Sequence, residues 1–383
     1  MLSGVRRKIC IVNPFEHGGG AEYQISLLID ALFGSGEFEI HYLTHFPDER
    51  DRIRNYRVWR IGGGGPIPRL GYVVEARSLY RLLREIGPDI IYQRVACAYT
   101  AVCALYARRC GVPLIWHVSH DTELTPGHLD RTRNFLRLRL EKWMAQWGAR
   151  HATGIVVQTQ FQAELLTRNF ARTADAVIPN FHPPAAEPID KSGPLTVLWI
   201  ANLKPWKQPE IFVRLAQSLK DRADIRFVMV GAAAAPGKRW AWELALMSDI
   251  QTAANLQYLG EKSQEEVNAL LARAHIFVNT SRHEGFPNTF IQAWLRDVAV
   301  VSLQVDPDQV LARGGAGIVT HSEAALVAAV RNLIDAPEVR AGFVARGRKH
   351  AEIHHSLHNA KVLARLLGGT AGDRPCAAPK SSS

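Results

Sequence analysis

Glu284 and Gln292, eight positions apart, bound the stretch of this sequence that is richest in chemical signals. A buried strand is predicted over 274–280, and the loop after it carries Glu284 ahead of Phe286 and Pro287. Proline gives up no needed hydrogen bond in a first helical turn, and free N–H groups at a helix start attract anions. The stretch therefore predicts a ligand site, with Glu284 on the loop and Gln292 on the same side of the helix.

A second loop with chemical potential follows the predicted buried strand 195–201. It begins at Asn202 and carries Lys204 and Lys207 before a helix predicted from Pro209. Two lysines at the end of a buried strand can hold a negatively charged ligand, or they can simply be solvated.

The N-terminal half opens with a predicted strand over 8–12 and a glycine-rich turn that includes Gly19 and Gly20. Glycines at a helix start allow a ligand close to the backbone, although a tight turn would also use them. The turn is not GxGxxG, so it indicates a dinucleotide site only weakly. Further along, His117 lies at the end of the predicted strand 112–118, where ligands of parallel sheets gather, although a core or loop histidine would also fit.

Predicted strands and helices alternate along the chain, which predicts parallel sheets with helices on both faces and an α/β fold class. The pattern restarts after a proline-rich segment, and 383 residues suffice for two cores. We predict an N-terminal Rossmann-like domain over 1–182, a linker over 183–194, a C-terminal Rossmann-like domain over 195–350, a C-terminal helix over 351–367 and a disordered tail over 368–383.

Several stretches resemble motifs of the family-4 retaining glycosyltransferases, which have the GT-B fold of two Rossmann-like domains facing each other across a cleft. The family pattern EGFPnxxxEA matches EGFPNTFIQA, which starts at Glu284. The family GGxE loop matches the stretch from Gly19, and Lys207 matches the lysine of the GRLxPxK loop. Two family residues are replaced: Asn202 stands where an arginine is usual, and Gln292 stands where the second glutamate is usual.

The resemblance implies transfer of a sugar from a nucleotide-sugar donor to a glycan or lipid-linked acceptor with retained configuration. It implies that Glu284 contacts sugar hydroxyls, that Lys207 holds the donor diphosphate and that His117 lies near the reacting sugar. Gln292 can still hydrogen-bond a ribose hydroxyl, but it supplies no charge. The remaining residues expected at the donor are Gly19, Gly20, Asn202, Lys204, Gly285, Phe286, Pro287 and Asn288.

No metal or cofactor is expected. Asp306 and Asp308 form a D-x-D triplet of the kind that binds a divalent metal in other glycosyltransferases, but the triplet falls where the resembled family has a glycine-rich turn before a helix, so we expect a turn. The histidines near position 355 have metal-like spacing without a companion ligand, so we expect them to be solvated.

The net charge of +10 is concentrated between residues 51 and 150, where 17 basic residues face 8 acidic ones. Nucleic-acid motifs are missing, so an anionic membrane surface or lipid-linked substrate is favoured over nucleic acid. The amphipathic stretch 131–147 is either a membrane-surface helix or a core-packing helix. Five cysteines without CxxC pairing suit a reducing compartment. We expect a cytoplasmic protein that is peripheral on the inner face of the cytoplasmic membrane.

Three alternatives stay open. A catalytically silent GT-B protein that binds a nucleotide sugar or a partner would explain Asn202 and Gln292. A Rossmann oxidoreductase is disfavoured because no GxGxxG with a later acidic residue occurs. A GT-B epimerase is a lesser enzyme alternative.

Overall fold

The computed structural model describes residues 6–13, 19–47, 56–62, 72–125, 135–233 and 241–369, without the side chains of 72–74 and 135–138. The chain divides into two compact units. The first comprises Met1–Asn180 and His358–Ser383, and the second comprises Phe181–Leu357.

The first unit alternates strands and helices and takes its last helix from the C-terminal end of the chain. Its elements are β1 (Arg7–Asn13), α1 (Gly20–Ser35), β2 (Phe38–Thr44), β3 (Arg57–Arg60), α2 (Tyr72–Ile86), β4 (Ile90–Arg94), α3 (Ala98–Cys110), β5 (Leu114–His117), α4 (Phe135–Arg150), β6 (Gly154–Val157), α5 (Gln160–Phe170), β7 (Ala176–Val177) and α12 (His358–Gly369).

All pairings in the first sheet are parallel, and the strand order is β3-β2-β1-β4-β5-β6-β7. The chain therefore moves to one side after β1 and to the other side after β4. In open parallel sheets, ligands bind outside the carboxyl ends of the strands at such a reversal of order. The ends of β1 and β4 mark this point in the first unit.

The second unit repeats the architecture around a sheet of six strands, in the order β10-β9-β8-β11-β12-β13. Its pairings are also parallel, and the order reverses between β8 and β11. The elements are β8 (Leu195–Ile200), α6 (Pro209–Ser218), β9 (Ile225–Val230), α7 (Ala241–Thr252), β10 (Leu256–Tyr258), α8 (Gln264–Arg273), β11 (Ile276–Asn279), α9 (Asn288–Trp294), β12 (Ala299–Ser302), β13 (Ile318–Val319), α10 (Glu323–Asp335) and α11 (Pro337–His354).

The segment predicted as a linker, 183–194, is attached to the second unit. The backbone N–H of Asp190 donates to the Ala272 carbonyl oxygen at 3.1 Å. Glu187 accepts a hydrogen bond from Arg296, and the Arg296 side chain is 1% exposed. These contacts explain why the unit begins at Phe181.

The C-terminal end also differs from the prediction. Residues 351–354 belong to α11, and the last helix begins at His358 and returns to the first unit. Its Leu363 and Leu367 are buried, and Asn359 donates to the Pro179 carbonyl oxygen at 3.2 Å. The predicted disordered tail includes two residues of this helix, and 370–383 lie outside the described residues.

The helix predicted over 131–147 is observed as α4, Phe135–Arg150, and 131–134 fall in an undescribed part of the chain. Leu140 is 44% exposed and Trp143 is 59% exposed, whereas Gly148 is buried against α3. The helix thus packs one side and presents large apolar groups on another. Among the described residues, no helix is long and apolar enough to cross a membrane.

Gly148→Ala is expected to destabilise the protein by about 1–3 kcal/mol, the usual cost of overpacking a close contact. A Cβ at Gly148 would lie 2.5 Å from the backbone nitrogen of Ala101 in α3. Gly34→Ala is the matched control, because a Cβ there meets no atom within 4 Å. It should stabilise α1 by up to about 1 kcal/mol through helix propensity. Urea unfolding of both variants measures the difference, and equal midpoints would contradict the close approach of α3 and α4.

Candidate active site

The loops after β8 and β11 lie side by side because these strands are neighbours at the reversal of strand order. Thr280, directly after β11, is fully buried. Its hydroxyl donates to the Lys207 carbonyl oxygen at 2.6 Å and accepts from Trp199 Nε1 at 2.9 Å. The backbone N–H of Arg282 donates to the Trp206 carbonyl oxygen at 2.9 Å. These bonds join two loops that are distant in the sequence.

Lys207 and Glu284 meet where these two loops join. Lys207 Nζ donates to Glu284 Oε1, and the two side chains are 21% and 13% exposed. Because both groups are shielded from water, their attraction is less screened than that of a surface ion pair. The sequence indicated both residues separately, and the structure brings them into direct contact. The arrangement places one cationic donor and one anionic acceptor side by side.

The other residues predicted in the lysine loop point to different partners. Asn202 is exposed, and its Oδ1 accepts from the Ala232 backbone N–H at 3.3 Å. Lys204 is also exposed, with Nζ 5.2 Å from the centre of the Trp206 ring. Lys204 is therefore held by a cation–π contact.

The glutamate loop is tightly packed behind Glu284. Gly285, Phe286 and Pro287 are buried, and Asn288 is the first residue of the seven-residue helix α9. The Phe286 ring lies 4.3 Å from the His355 ring. His355 is 1% exposed, so the expectation that this histidine is solvated is wrong, whereas His354 and His358 are exposed. Packing under the loop therefore fixes the position from which Glu284 extends.

Gln292 is 2% exposed and uses its amide within the protein. Its Nε2 donates to Asn268 Oδ1 in α8 at 2.9 Å. Arg296 Nη1 donates to the Gln292 backbone carbonyl oxygen at 3.2 Å. Sequence reasoning missed Asn268, because nothing in its local pattern indicates a partner on another helix.

Gly231, directly after β9, lies against the start of the lysine loop, and sequence reasoning missed this contact. Its φ of 152° lies in the region that favours glycine, and a Cβ would collide with the Ala201 carbonyl oxygen. In the sequence, the feature that could have indicated this contact is a glycine at the end of a predicted buried strand. The close approach keeps the backbone after β9 beside the start of the lysine loop.

His117 lies at the end of β5 in the first unit and is fully buried. Its Nδ1 is 2.8 Å from the Tyr92 hydroxyl and 3.3 Å from Arg94 Nη1. Burial first, and then the positive charge of Arg94, lower the pKa of His117 well below its ordinary value. The imidazole is therefore neutral at physiological pH. Sequence reasoning singled out His117 but missed Tyr92 and Arg94.

Gly19 and Gly20 stand at the start of α1, with Gly19 as the N-cap residue in an extended conformation. A Cβ on Gly19 would collide with the Glu22 carboxylate, so the glycine leaves room for that side chain. His17 and Gly18 of the same turn are outside the described residues.

Asp306 serves the turn that was predicted for it. Its carboxylate accepts from the backbone N–H groups of Leu311 at 2.8 Å and Ala312 at 3.1 Å. Within the described ranges, no group of three or more His, Cys, Asp and Glu side chains could hold a metal ion.

Two family models match the chain. Residues 19–180 match a glycosyl transferase 4-like domain, and residues 194–336 match glycosyl transferases group 1. No curated protein sequence matches. The chain belongs to the group 1, family-4-like glycosyltransferases, and its two parallel sheets with alternating helices form the two Rossmann-like domains of the GT-B fold.

Solved structures show the same fold at low sequence identity. The HepE protein of Anabaena, in complex with UDP and glucose, matches with a TM-score of 0.75 and 18% identity, covering 95% of this chain and 100% of that one. Sucrose-phosphate synthase of Thermosynechococcus elongatus matches with a TM-score of 0.73 and 16% identity, covering 95% and 98%. WaaG, a glycosyltransferase involved in lipopolysaccharide biosynthesis, matches with a TM-score of 0.70 and 12% identity, covering 94% and 100%.

Thr280→Val is expected to destabilise the protein by about 2 kcal/mol, because it leaves one buried and one partly buried polar group without partners. The groups are Trp199 Nε1 and the Lys207 carbonyl oxygen. Thr196→Val is the control, since its exposed hydroxyl donates only to the nearby Pro194 carbonyl oxygen at 2.9 Å. Its effect should stay within about 0.5 kcal/mol. Chemical denaturation compares the two, and a silent Thr280→Val would show that the loops are joined by other means.

Proposed function

We propose that this glycosyltransferase moves a sugar from a nucleotide-sugar donor to a glycan or lipid-linked acceptor, with retained anomeric configuration and without a metal. The second unit is assigned to the donor and the first unit to the acceptor. Polysaccharide or glycoconjugate biosynthesis is the proposed setting. The contact between Lys207 and Glu284, at the reversal of strand order, is the observation that carries the proposal.

The reaction requires a positive group at the departing diphosphate. When the bond to the sugar breaks, the nucleoside diphosphate gains negative charge, and a fixed donor stabilises that charge most effectively where water is excluded. Lys207 Nζ is the cation proposed for this role. Its backbone is fixed by the hydrogen bond from Thr280, so little reorganisation is needed.

Glu284 is proposed to orient the transferred sugar. A carboxylate accepts hydrogen bonds from sugar hydroxyls, and hydrogen bonds to a charged acceptor are stronger than neutral ones. In this proposal the donor separates the ion pair: the diphosphate attracts Lys207 and the hydroxyls attract Glu284. Lys207 and Glu284 thus exchange their mutual contact for contacts with the donor, so neither charge is left buried without a partner.

The other residues of the proposed donor site are assigned to binding the donor and not to the chemical step. Gln292 is assigned to the ribose, which the reaction does not change, so its contribution is uniform binding. Asn202 and Lys204 flank the diphosphate, and Gly285 to Asn288 supply backbone contacts. A catalytically silent, sugar-binding protein is the second candidate, because Asn202 replaces a cation and the Gln292 amide is already bonded to Asn268.

His117 is proposed to contact the sugar or the reacting group. Because its pKa is well below the ordinary value, it acts as a neutral hydrogen-bonding group rather than as a cation.

Lys207→Ala should lower kcat/KM by on the order of a hundredfold, equivalent to about 3 kcal/mol of transition-state stabilisation. A panel of UDP-, GDP- and ADP-sugars provides the assay, led by UDP-glucose because HepE was solved with it. Lys220→Ala, an exposed lysine of the same unit, is the control. Wild-type turnover in Lys207→Ala would remove its catalytic role.

Binding measurements with the same panel and with a nicotinamide cofactor separate the alternatives. Nucleotide-sugar binding without turnover would favour the silent protein, and binding of a nicotinamide cofactor would favour an oxidoreductase.

The transfer activity should persist in EDTA. Loss of activity that Mn²⁺ or Mg²⁺ restores would return Asp306 and Asp308 to consideration.

Glu284→Gln should lower kcat at saturating donor, because it weakens contacts with the sugar that is being transferred. Gln292→Ala should mainly raise the donor KM, and Gln292→Glu should be tolerated because it introduces the usual family residue. Steady-state kinetics distinguish these effects. If Gln292→Ala abolished turnover while Glu284→Gln changed little, the two roles would be reversed.

We also propose that the exposed side of α4 contacts anionic membrane, since Leu140 and Trp143 project there from a strongly basic region. The double variant Leu140→Ser and Trp143→Ser should sediment less with anionic vesicles at low salt than the wild type does. Leu244→Ser, which removes a 57% exposed leucine from the other unit, is the control. Salt should weaken binding. Equal recovery of the wild type with neutral and anionic vesicles would contradict the proposal.

A further inference from the structure

The loops after β4 and β5 are joined by one carboxylate, that of Glu123. Its Oε2 accepts from the backbone N–H of Ala96 at 2.7 Å, in the loop that follows β4. Its Oε1 accepts from the backbone N–H groups of Ser119 at 2.9 Å and His120 at 2.7 Å, in the loop that follows β5. Trp116 Nε1, within β5, also donates to Oε2 at 3.3 Å. Glu123 therefore connects the loops at the ends of two paired strands.

The Glu123 side chain is bound as an ionised carboxylate. Each of its oxygens lies beside two N–H donors, and a carboxylate offers only acceptors. Burial raises the pKa of Glu123, and the hydrogen bonds oppose this change because they favour the charged form. An amide in the same place would turn its own NH₂ donor toward one of the two N–H pairs. The connection thus requires an acceptor at both oxygens.

The Ala96 end of this connection adjoins an unusual backbone conformation. Val95 has a φ of 69°, in the left-handed region that a β-branched residue rarely adopts. Its N–H donates to the His117 carbonyl oxygen at 3.3 Å, and the following N–H, that of Ala96, donates to Glu123. Strained conformations persist where surrounding contacts enforce them, and they cluster at functional sites. Glu123 is therefore one of the contacts that hold Val95 in this conformation.

The strained residue directly follows Arg94, which contacts His117. Arg94 ends β4 and is 1% exposed. It pairs with His117 across the sheet, and its Nη1 lies 3.3 Å from His117 Nδ1. A rotation at Val95 would move the backbone next to Arg94 and break the hydrogen bond from Val95 to His117. The contact between Arg94 and His117 is therefore coupled to the conformation of Val95.

The segment that carries Glu123 is itself fixed from the opposite side. Gln158, directly after β6, donates from Nε2 to the Val118 carbonyl oxygen at 2.8 Å. Gln162 of α5 donates from Nε2 to Asp121 Oδ1 at 2.9 Å. Because these contacts remain when the carboxylate is lost, the loop after β4 should be displaced rather than the Glu123 segment.

We infer that Glu123 is a positioning residue for the proposed transfer reaction: it holds the loop after β4 so that Arg94 stays against His117. The inference rests on the proposed function, in which His117 contacts the sugar or the reacting group. Glu123 acts through the backbone of Val95 and Ala96 and is assigned no contact with the substrate. A displacement of about 1 Å near a reacting centre can lower the rate by about a hundredfold.

Nitrogen-15 NMR of the histidine rings in the full chain tests this positioning without requiring turnover. The His117 signals are assigned by their loss in His117→Asn. Glu123→Gln should shift the His117 ring signals, because the amide no longer accepts at both positions. Glu164→Gln, which changes an exposed glutamate of α5, is the control and should leave them in place. Unchanged His117 signals in a folded Glu123→Gln would overturn the inference.

Val95→Gly distinguishes positioning from general destabilisation. Glycine adopts a φ of 69° without strain, so the loop after β4 needs less support from Glu123. The double variant Glu123→Gln and Val95→Gly should therefore return the His117 signals toward their wild-type positions. A purely structural role of Glu123 would not respond to a change at Val95, and failure of this restoration would reject the coupling.

Turnover provides the functional readout. Glu123→Gln should lower kcat by about ten- to hundredfold, the scale of a small displacement near the reacting centre. Its affinity for UDP should stay unchanged, because the donor is assigned to the other unit. UDP release from UDP-glucose, or release of the nucleotide from whichever panel donor turns over, measures kcat, and calorimetry measures UDP binding. An unchanged kcat, or a kcat loss accompanied by loss of UDP binding, would contradict the assigned role.

Two further outcomes are separable. If the wild type transfers no sugar, the proposed function fails, whereas the His117 signals still decide what Glu123 positions. If Glu123→Gln does not fold, amide hydrogen exchange in the wild type replaces it. The Ala96 N–H should then exchange as slowly as the N–H groups of Ser119 and His120, and rapid exchange at Ala96 alone would overturn the inference.

Discussion

The hydrogen bond from Thr280 to the Lys207 carbonyl oxygen is the contact on which the candidate active site depends. It joins residues 73 positions apart, and it forms because β8 and β11 are adjacent in the sheet. Once the loops are joined, Lys207 and Glu284 can neutralise each other in a partly buried position. Without that order of strands, the same lysine and glutamate would be separate surface charges with little mutual effect.

Much of the architecture could be predicted from local sequence patterns. Alternating strands and helices require parallel sheets, and short apolar runs such as 195–200 and 276–279 are observed as strands. Lys207 and Glu284 could be selected individually because each occurs in a recognisable loop. Their contact could not be predicted from spacing, since it depends on the long-range pairing of β8 with β11.

The residues that sequence reasoning missed are mostly buried polar groups. Arg94 lies in a strand whose other residues carry no charge, and its partners His117 and Asn180 come from distant segments. Likewise, the polar sequence around His355 predicts a solvated histidine, whereas in the structure the Phe286 ring packs against the His355 ring. Burial of a polar side chain is a tertiary property, and local periodicity carries no information about which partner compensates it.

Helix α12 has a consequence for synthesis of the chain. Its Leu363 and Leu367 are fully buried, and it packs on α1, near the other end of the chain. A ribosome therefore translates the whole second unit, Phe181–Leu357, before the first unit can acquire its last helix. During that interval the α1 surface that α12 covers stays exposed on a nascent polypeptide. Of the two units, the one that is translated first is thus completed second, which differs from the usual N-terminal-first order of domain folding.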